Sequence, residues 1–435
     1  MDLTTLAILG IVALIVLLAL GCNIGLAMLM VGAGGYLLAT NFSAALGMLQ
    51  QVPATSASNY SMCVIPLFIM MGNFAFASGI SDGLFDAGQK WLSRLPGGLA
   101  CAAIAACAVF GAICGSTAAT AATMGVVAIP AMRKHGYSDT LATGTVSVGG
   151  TLGIMIPPST PMIVYGIMAE QSIGRLFAAG VIPGILLALL CCVTIVIQVK
   201  RNPSLAPSTS EHYTMRERLE SLKGLIWVVI LFGVVLGGMF TGFFTVNEAA
   251  AVGALGGIII MAIRRKLNFK SFIAVMKDSV KTTAMTYLIL IGADVFGKFL
   301  AITQLPMNLA SFIEGLSISR YIILLFIVLI YAVMGCFMDA LPMITLTVPI
   351  FLPIITGLGF DPVWFGILCI LVMELGLITP PVGLNCYVIS GIVKDIPLAR
   401  IFKGSLPFIP AILAACLLVT VFPQLALFLP NLMYG

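Results

Sequence analysis

The chain has 435 residues, of which 60% are hydrophobic and 9% are charged. Its mean hydropathy of +1.15 excludes a soluble domain of ordinary composition and indicates a polytopic membrane protein. The net charge of +5 does not indicate nucleic-acid binding, because the basic residues follow membrane sidedness. Most of the eleven cysteines lie in apolar runs, which is typical of small packing residues rather than disulfides.

The apolar runs show no period-2 alternation, so we predict helices rather than strands, with roughly 20 residues for each membrane span. The N-terminal run lacks a basic flank and a cleavage site, and we interpret it as a retained first span. The first half contains predicted segments at 4–20, 24–40, 63–80, 98–130 (a hairpin), 140–168 (a broken span) and 176–199. The second half contains the matching segments at 225–243, 247–263, 283–303, 320–352, 361–393 and 406–430. The stretch 41–59 is predicted to be a polar external loop, and the basic stretch 264–281 an inner connection compatible with an amphipathic surface helix.

Two proline pairs indicate an internal repeat. The stretches GIMIPPSTP and GLITPPVGLN lie about 223 residues apart, so that Pro157-Pro158 matches Pro380-Pro381 and Gly153 matches Gly376. A helix cannot pass unbroken through two adjacent prolines, which lack amide hydrogens. The sequence therefore predicts an all-α fold of two repeats, each with a re-entrant hairpin and a helix broken at Pro-Pro. Five crossings in each half would invert the second repeat.

The basic residues support this topology. With the N-terminus outside, 18 of the 21 Lys and Arg residues fall on the inner side, as short cytoplasmic loops require. We therefore expect an external N-terminus and a cytoplasmic linker at 200–224. The expected divisions of the chain are 1–80, 81–199, the linker at 200–224, 225–303 and 304–435.

Paired broken helices in inverted repeats are typical of secondary transporters, with the site at the bilayer midplane. Freed carbonyls beside each proline pair suit a small hard cation such as sodium, and the new helix N-termini suit a carboxylate. Asp339 and Glu374 are candidates for the site or for a proton relay. Asp294 and Lys298, spaced i and i+4, are expected to form a structural ion pair. Glu248 follows Thr245 at capping-box spacing and is expected to be structural.

Two other functional classes are disfavoured. The stretch GADVFGK resembles the start of a phosphate-binding loop, but Phe299 follows where Ser or Thr is needed, so ATP binding is rejected. An intramembrane enzyme using Asp294 and Asp339 is a second alternative, although neither residue lies in a recognisable catalytic motif.

Several motifs together resemble the large membrane subunit (DctM type) of tripartite ATP-independent periplasmic (TRAP) transporters. They are FGAICGSTAAT, RKHGYSD, GTLGIMIPPSTPMIVYG, RLFAAGVIPG, TVNEAAAVGAL and ITPPVGLNCYV. The resemblance implies an elevator-type, sodium-coupled importer of organic acids in a bacterial inner membrane, with a periplasmic N-terminus and no organic cofactor. In such an importer, 1–80 and 225–303 would be scaffold helices, and 81–199 and 304–435 the two transport halves. It also implies two protein partners: a small DctQ-type membrane subunit, expected as a separate polypeptide, and a DctP-type periplasmic substrate-binding protein.

The resemblance also implies site residues. One sodium site would use Cys114, Thr117, Gly153, Ile156 and Pro158, mainly through carbonyl oxygens. The other would use Gly335, Gly376, Thr379 and Val382. The substrate would lie near Ser116, Ser159, Thr160, Asp339 and Asn385. The runner-up is a stand-alone sodium- or proton-coupled carboxylate carrier of similar architecture, and the sequence leaves the acid and the sodium stoichiometry open.

Overall fold

The computed structural model describes residues 2–207, 213–315 and 318–434, and this part of the chain contains helices but no strand. Residues 208–212 of the predicted linker lie outside the described residues. The first repeat comprises α1 (Leu3–Ala19), α2 (Ile24–Ala39), α3 (Phe42–Ser58), α4 (Val64–Ala77), α5 (Leu84–Leu92), α6 (Gly98–Cys114), α7 (Thr117–Lys134), α8 (Asp139–Thr151), α9 (Thr160–Met168) and α10 (Ile173–Arg201).

A short helix, α11 (Met215–Ser221), precedes the second repeat. That repeat comprises α12 (Ile226–Phe240), α13 (Val246–Ile263), α14 (Phe269–Ile302), α15 (Leu305–Gly315), α16 (Arg320–Gly335), α17 (Ala340–Gly357), α18 (Pro362–Ile378), α19 (Leu384–Ile392), α20 (Leu398–Ser405), α21 (Ile409–Val421) and α22 (Gln424–Tyr434). Within the described ranges, seven helical segments are long and apolar enough to cross a membrane.

The helix order confirms the shared plan of the two halves. The hairpin α6–α7 corresponds to α16–α17, and the broken helix α8–α9 corresponds to α18–α19. Both predicted breaks are present, since α8 ends at Thr151 and α18 ends at Ile378, before their respective proline pairs. The capping box at Thr245 and Glu248 is also confirmed at the start of α13.

The prediction of a polar loop at 41–59 was wrong, because α3 occupies this stretch. Asn41 caps the helix by accepting a hydrogen bond from the amide of Ala44 at 2.9 Å. The buried positions Ala45, Met48, Val52 and Ser56 are three or four residues apart, which places them on one helical face. Hydropathy alone does not predict this helix, because the stretch contains Pro53 and several polar residues.

Two further boundaries need correction. The basic stretch 264–281 is not a separate surface helix, because from Phe269 onward it belongs to α14, a continuous helix of 34 residues. At 1.5 Å per residue, α14 is about 51 Å long, which exceeds a hydrocarbon core of about 30 Å. The predicted span 406–430 is likewise divided, since α21 ends at Val421 and α22 begins at Gln424.

The first four helices of the chain pack against the early helices of the second repeat. Helix α2 packs on α14, and α4 packs on α13. Glycines allow the close approach: a methyl group on Gly32 would meet the backbone of Phe296, and one on Gly257 would meet the side chain of Phe74. Such small residues are typical of helix contacts inside membranes. The contact of α2 with α14 and the contact of α4 with α13 are equivalent under the repeat. In the two halves, α2 matches α13 and α4 matches α14.

An ion-pair cluster ties the C-terminal end of α7 to neighbouring segments. Arg133 contacts Asp139 at the start of α8 and Asp395 between α19 and α20, each at 2.7 Å. The hydrogen bond from the Arg133 guanidinium holds the pKa of Asp395 below its usual value. This end of the first hairpin is therefore fastened to the broken helices of both repeats.

Candidate functional site

The tip of the first hairpin meets the first break. Helix α6 ends at Cys114, and Gly115 takes a φ of +59°, which glycine adopts without strain. A Cβ atom placed on Gly153 would lie 3.2 Å from the Cα of Gly111 and 3.1 Å from the carbonyl oxygen of Ser116. One placed on Gly115 would lie 3.4 Å from the carbonyl oxygen of Pro158. Backbone therefore lies against backbone at this junction.

The second hairpin and the second break form an equivalent junction. A Cβ atom on Gly335 would lie 3.1 Å from the Cα of Gly376 and 3.5 Å from the carbonyl oxygen of Met373. The hydroxyl of Thr379 donates to the carbonyl of Leu375 at 2.6 Å, and its amide donates to Gly376 at 3.1 Å. Val382 is half-buried beyond the break. Gly335 and Gly376 are thus brought together, whereas Thr379 and Val382 lie further along the broken segment.

The proline pairs explain why polar backbone is free at these junctions. In a continuous helix the carbonyls of Gly153 and Ile154 would accept from the amides of residues 157 and 158, but both of those are prolines without an amide hydrogen. The carbonyl of Ile154 accepts instead from the hydroxyl of Ser159 at 2.6 Å. Both Pro-Pro peptide bonds are cis. The first junction thus presents the main-chain oxygens around Gly153, Ile156 and Pro158 outside a regular helix.

Hydroxyl groups surround the first junction. The hydroxyl of Thr120 donates to the carbonyl of Ser116 at 2.7 Å and lies 3.0 Å from the sulfur of Cys114. Thr117 is buried in the first turn of α7. The predicted site omitted Thr120 and Gly111, and the repeat offset of 223 takes Gly335 to Ala112, one residue after Gly111.

A cavity of about 280 Å³ lies between the two hairpin tips, the first break and the helices α4 and α14. Three residues of the predicted substrate site, Ser116, Thr160 and Asp339, line it. The opposite wall contributes Asn73 of α4 and a stripe of α14 that includes Thr282 and Thr286. The cavity therefore joins elements of both repeats and faces both the early helices and the hairpins.

The other two predicted substrate residues lie elsewhere. The hydroxyl of Ser159 caps α9 and is engaged with Ile154. Asn385 is fully buried, and its amide nitrogen donates to the carbonyl of Ser147 at 3.0 Å. Neither residue lines the cavity. Ser159 shapes the break, and Asn385 attaches α19 to α8.

The buried charges fall into two separate places. Glu374 is fully buried and accepts a hydrogen bond from Thr151 at 3.0 Å. Asp294 accepts one from Ser56 of α3 at 2.5 Å. The expected ion pair with Lys298 was wrong, since no amine–carboxylate distance below 4 Å joins the two among the described residues. Asp294 and Lys298 instead line a different cavity from the one that holds Asp339, which also removes the paired-aspartate enzyme hypothesis.

The available donors suit a hard cation rather than a transition metal. The described residues contain no cluster of three His, Cys, Asp or Glu side chains that could hold a metal ion. The junctions offer carbonyl and hydroxyl oxygens, which are ligands for hard cations. Carbonyl oxygens can replace the hydration shell of a monovalent ion without a titratable group.

Comparisons with known proteins agree on one family. The family model for the DctM component of tripartite ATP-independent periplasmic transporters matches residues 11–425. The chain is 38% identical to the C4-dicarboxylate TRAP transporter large permease protein DctM of Pseudomonas aeruginosa, over 86% of this chain and 87% of that protein. It is 33% identical to the sialic acid TRAP transporter large permease protein SiaM of Vibrio cholerae, over 96% and 97%.

A third relative and one solved structure extend the comparison. The isethionate TRAP transporter permease protein DctMQ of Oleidesulfovibrio alaskensis is 36% identical over 87% of this chain and 59% of that protein. The crystal structure of the YdaH transporter of Alcanivorax borkumensis matches with a TM-score of 0.63 at 16% identity, covering 88% of this chain and 89% of that one. The last likeness concerns the fold alone.

Proposed function

The chain belongs to the DctM family of TRAP transporters, and from that membership we propose that it imports an organic acid together with sodium ions. Family membership makes it a multi-pass membrane transport permease rather than an enzyme. Its relatives are described as permeases for C4-dicarboxylates, sialic acid and isethionate. The proposed substrate is an organic acid of this general kind.

The observation that carries the proposal is the pair of matched junctions, the first of which borders the cavity between the hairpin tips. At each junction a glycine of a hairpin lies against a glycine of a broken helix, as Gly111 does with Gly153 and Gly335 with Gly376. We propose that main-chain oxygens at each junction hold one sodium ion. The first site includes Cys114, through its carbonyl, because the thiol is a poor sodium ligand and already contacts Thr120.

The packing also supports a division into two moving parts. We propose that α1–α4 and α12–α14 form the scaffold, and that the hairpins and broken helices form a transport unit that moves past it in an elevator motion. The cavity lies between these groups, since Asn73 and Thr286 line one wall and Ser116 and Thr160 the other. The proposed orientation is inverted repeats in a bacterial inner membrane, with a periplasmic N-terminus and the 200–224 linker in the cytoplasm.

Sodium coupling supplies free energy for accumulating the imported acid. One elementary charge moving through 100 mV yields roughly 2.3 kcal/mol, so two sodium ions yield about 4.6 kcal/mol before any concentration gradient. A thousandfold accumulation of a neutral solute takes about 4.1 kcal/mol, and an anion accumulates less, because its negative charge moves against the same potential. The proposal includes two partners known by their roles: a small DctQ-type membrane subunit and a DctP-type periplasmic protein that delivers the acid.

Uptake into proteoliposomes tests the proposal. The vesicles contain the chain with its small subunit, and loaded binding protein is added or omitted under an imposed sodium or pH gradient. We expect uptake only when the sodium gradient and the binding protein are both present. Uptake without the binding protein would favour a stand-alone carrier, and uptake driven by a pH gradient alone would replace sodium with protons.

A further inference from the structure

A separate cavity of about 470 Å³ lies between α2, α3 and the last turns of α14, and none of its lining residues belongs to a hairpin or a break. Its polar lining consists of Tyr36, Gln51, Thr55 and Lys298, and the rest of the lining is apolar or glycine. Lys298 carries the only formal charge among these residues. The α2–α3–α14 cavity therefore has a net positive charge, whereas the cavity between the hairpin tips has the negative charge of Asp339.

Three polar side chains at this cavity have no partner in the described part of the chain. The amine of Lys298, the hydroxyl of Tyr36 and the side-chain amide of Gln51 form no hydrogen bond or ion pair with any described residue. Asp294 lies one turn earlier on α14, but its carboxylate is bonded to Ser56. The cavity thus presents an ammonium, a phenol and an amide, and all three groups can donate hydrogen bonds.

The rest of the wall adds one acceptor and an apolar floor. The hydroxyl of Thr55 donates to the carbonyl of Gln51 at 2.9 Å, so its own oxygen can accept a hydrogen bond from an occupant. Met48 and Val52 are buried, and the partly buried Tyr36 packs against them. A fitting occupant therefore combines an anionic group, a hydrogen-bond donor and an apolar part.

The cavity lies close to one surface of the membrane. Tyr36 is three residues before the end of α2 at Ala39, and Lys298 is four residues before the end of α14 at Ile302. At 1.5 Å per residue, both side chains are about 5–6 Å from those helix ends. The headgroup regions of a bilayer border its hydrocarbon core of about 30 Å, so this depth is the level of phospholipid phosphates.

We propose that the α2–α3–α14 cavity binds the phosphate of an anionic phospholipid with an uncharged headgroup, such as phosphatidylglycerol. The phosphate accepts from Lys298 and Tyr36, the headgroup hydroxyls bond to Gln51 and Thr55, and the glycerol backbone lies on Met48. One negative charge balances the lysine. The ammonium group of a zwitterionic phospholipid would find no carboxylate among the lining residues.

The volume of the cavity favours a phospholipid over a free anion. A water molecule occupies roughly 30 Å³ in the liquid, so 470 Å³ has room for about sixteen non-hydrogen atoms. On the same scale, inorganic phosphate fills about a third of the space, whereas the phosphate of phosphatidylglycerol with its two glycerol groups fills almost all of it.

Hydrogen exchange of α3 tests the inference in the purified complex of this chain with its small subunit, washed free of lipid in detergent. Dioctanoyl phosphatidylglycerol, dioctanoyl phosphatidylethanolamine and inorganic phosphate are added in separate titrations, and mass spectrometry follows the amides of residues 42–58. We expect phosphatidylglycerol to slow exchange in α3, with a half-maximal effect at about fivefold lower concentration than phosphatidylethanolamine. Inorganic phosphate should have no effect at these concentrations.

Lys298→Gln is the decisive variant, because Lys298 is exposed and glutamine keeps a polar side chain without the charge. We expect it to weaken phosphatidylglycerol binding by about tenfold or more, since hydrogen bonds to charged groups are the stronger ones. Lys298→Arg should keep most of the binding, and Tyr36→Phe should weaken it by about fivefold. Lys277→Gln is the matched control: it removes the same charge from an exposed position of α14, about 30 Å from the cavity, and should leave binding unchanged.

Three results would overturn the inference. Equal protection by phosphatidylglycerol and inorganic phosphate would assign the cavity to free anions. Equal losses in Lys298→Gln and Lys277→Gln would show a general attraction of lipid to basic residues instead of a site. Absence of protection by either phospholipid would reject the lipid, and a carbodiimide cross-link between Lys298 and the small subunit would then identify an acidic side chain of that partner as the occupant.

Discussion

Replacing Gly376 with alanine is expected to separate the second hairpin from the second break. The added Cβ would overlap the carbonyl carbon and the Cα of Gly335 and would lie 2.8 Å from its carbonyl oxygen. Relaxed C···O contacts begin at about 3.3 Å and the overlap with the two carbon atoms is deeper, so the two backbones must part by more than about 0.5 Å. Since the obstacle is backbone, no side-chain rotation can relieve it, and overpacking of this kind costs about 1–3 kcal/mol.

The assay combines thermal unfolding with sodium-dependent uptake. For a chain of this length, the expected cost lowers Tm by about 1–3 °C. If the substitution destabilises the sodium-bound state by about 1.4 kcal/mol relative to the sodium-free state, the sodium concentration for half-maximal uptake rises about tenfold. Gly297→Ala is the control, because Gly297 lies within α14 and has nothing within 4 Å of an added methyl group. It should be neutral or stabilising by about 0.5–1 kcal/mol. Equal Tm and equal sodium dependence in the two variants would refute the close contact between Gly335 and Gly376.

Three further changes test individual polar contacts. Thr151→Val removes the hydrogen bond to Glu374 and should lower stability by about 1–3 kcal/mol, whereas Thr151→Ser should keep most of it; equal Tm values would contradict the contact. Ser56→Ala removes the bond to Asp294 and should loosen α3 by about 1–2 kcal/mol, which limited proteolysis of the 41–59 stretch would detect. The lowered pKa of Asp395 means that its ion pair stabilises fully above the ordinary value of about 3.9 and is lost as pH falls through the lower folded value. The Tm of the wild type should therefore fall more steeply in acid than that of Asp395→Asn, and parallel curves would show that the pair adds nothing.

The repeat made both hairpins and both helix breaks predictable from the sequence. A Pro-Pro pair predicts a helix end directly from the sequence, since the missing amide hydrogens interrupt a helix whatever packs around it. The matching spacing then placed both hairpins and both breaks without any knowledge of tertiary contacts. Gly153 and Gly376 could be assigned to the breaks for the same reason.

The errors arose where a contact with another element decides the structure. Helix α3 is stabilised by a face that includes Val52 and Ser56, and the partner of that face lies on α14, more than 200 residues later in the sequence. Because α3 was not predicted, Ser56 could not be recognised as the hydrogen-bond partner of Asp294. An ion pair between Asp294 and Lys298 was predicted instead, from their helical spacing alone. Asn385, which the family resemblance places near the substrate, donates a hydrogen bond to the carbonyl of Ser147 in the structure.

Each junction forms within one repeat, but both hairpins also pack on the other repeat. The second helix of each hairpin packs against the half-helix of the opposite repeat: α7 contacts α19, and α17 contacts α9. Thr151 and Glu374, which occupy equivalent positions 223 residues apart, bond to each other. The hairpins and breaks of the two repeats are therefore packed into one unit. Under the proposed mechanism, this unit contains both sodium sites.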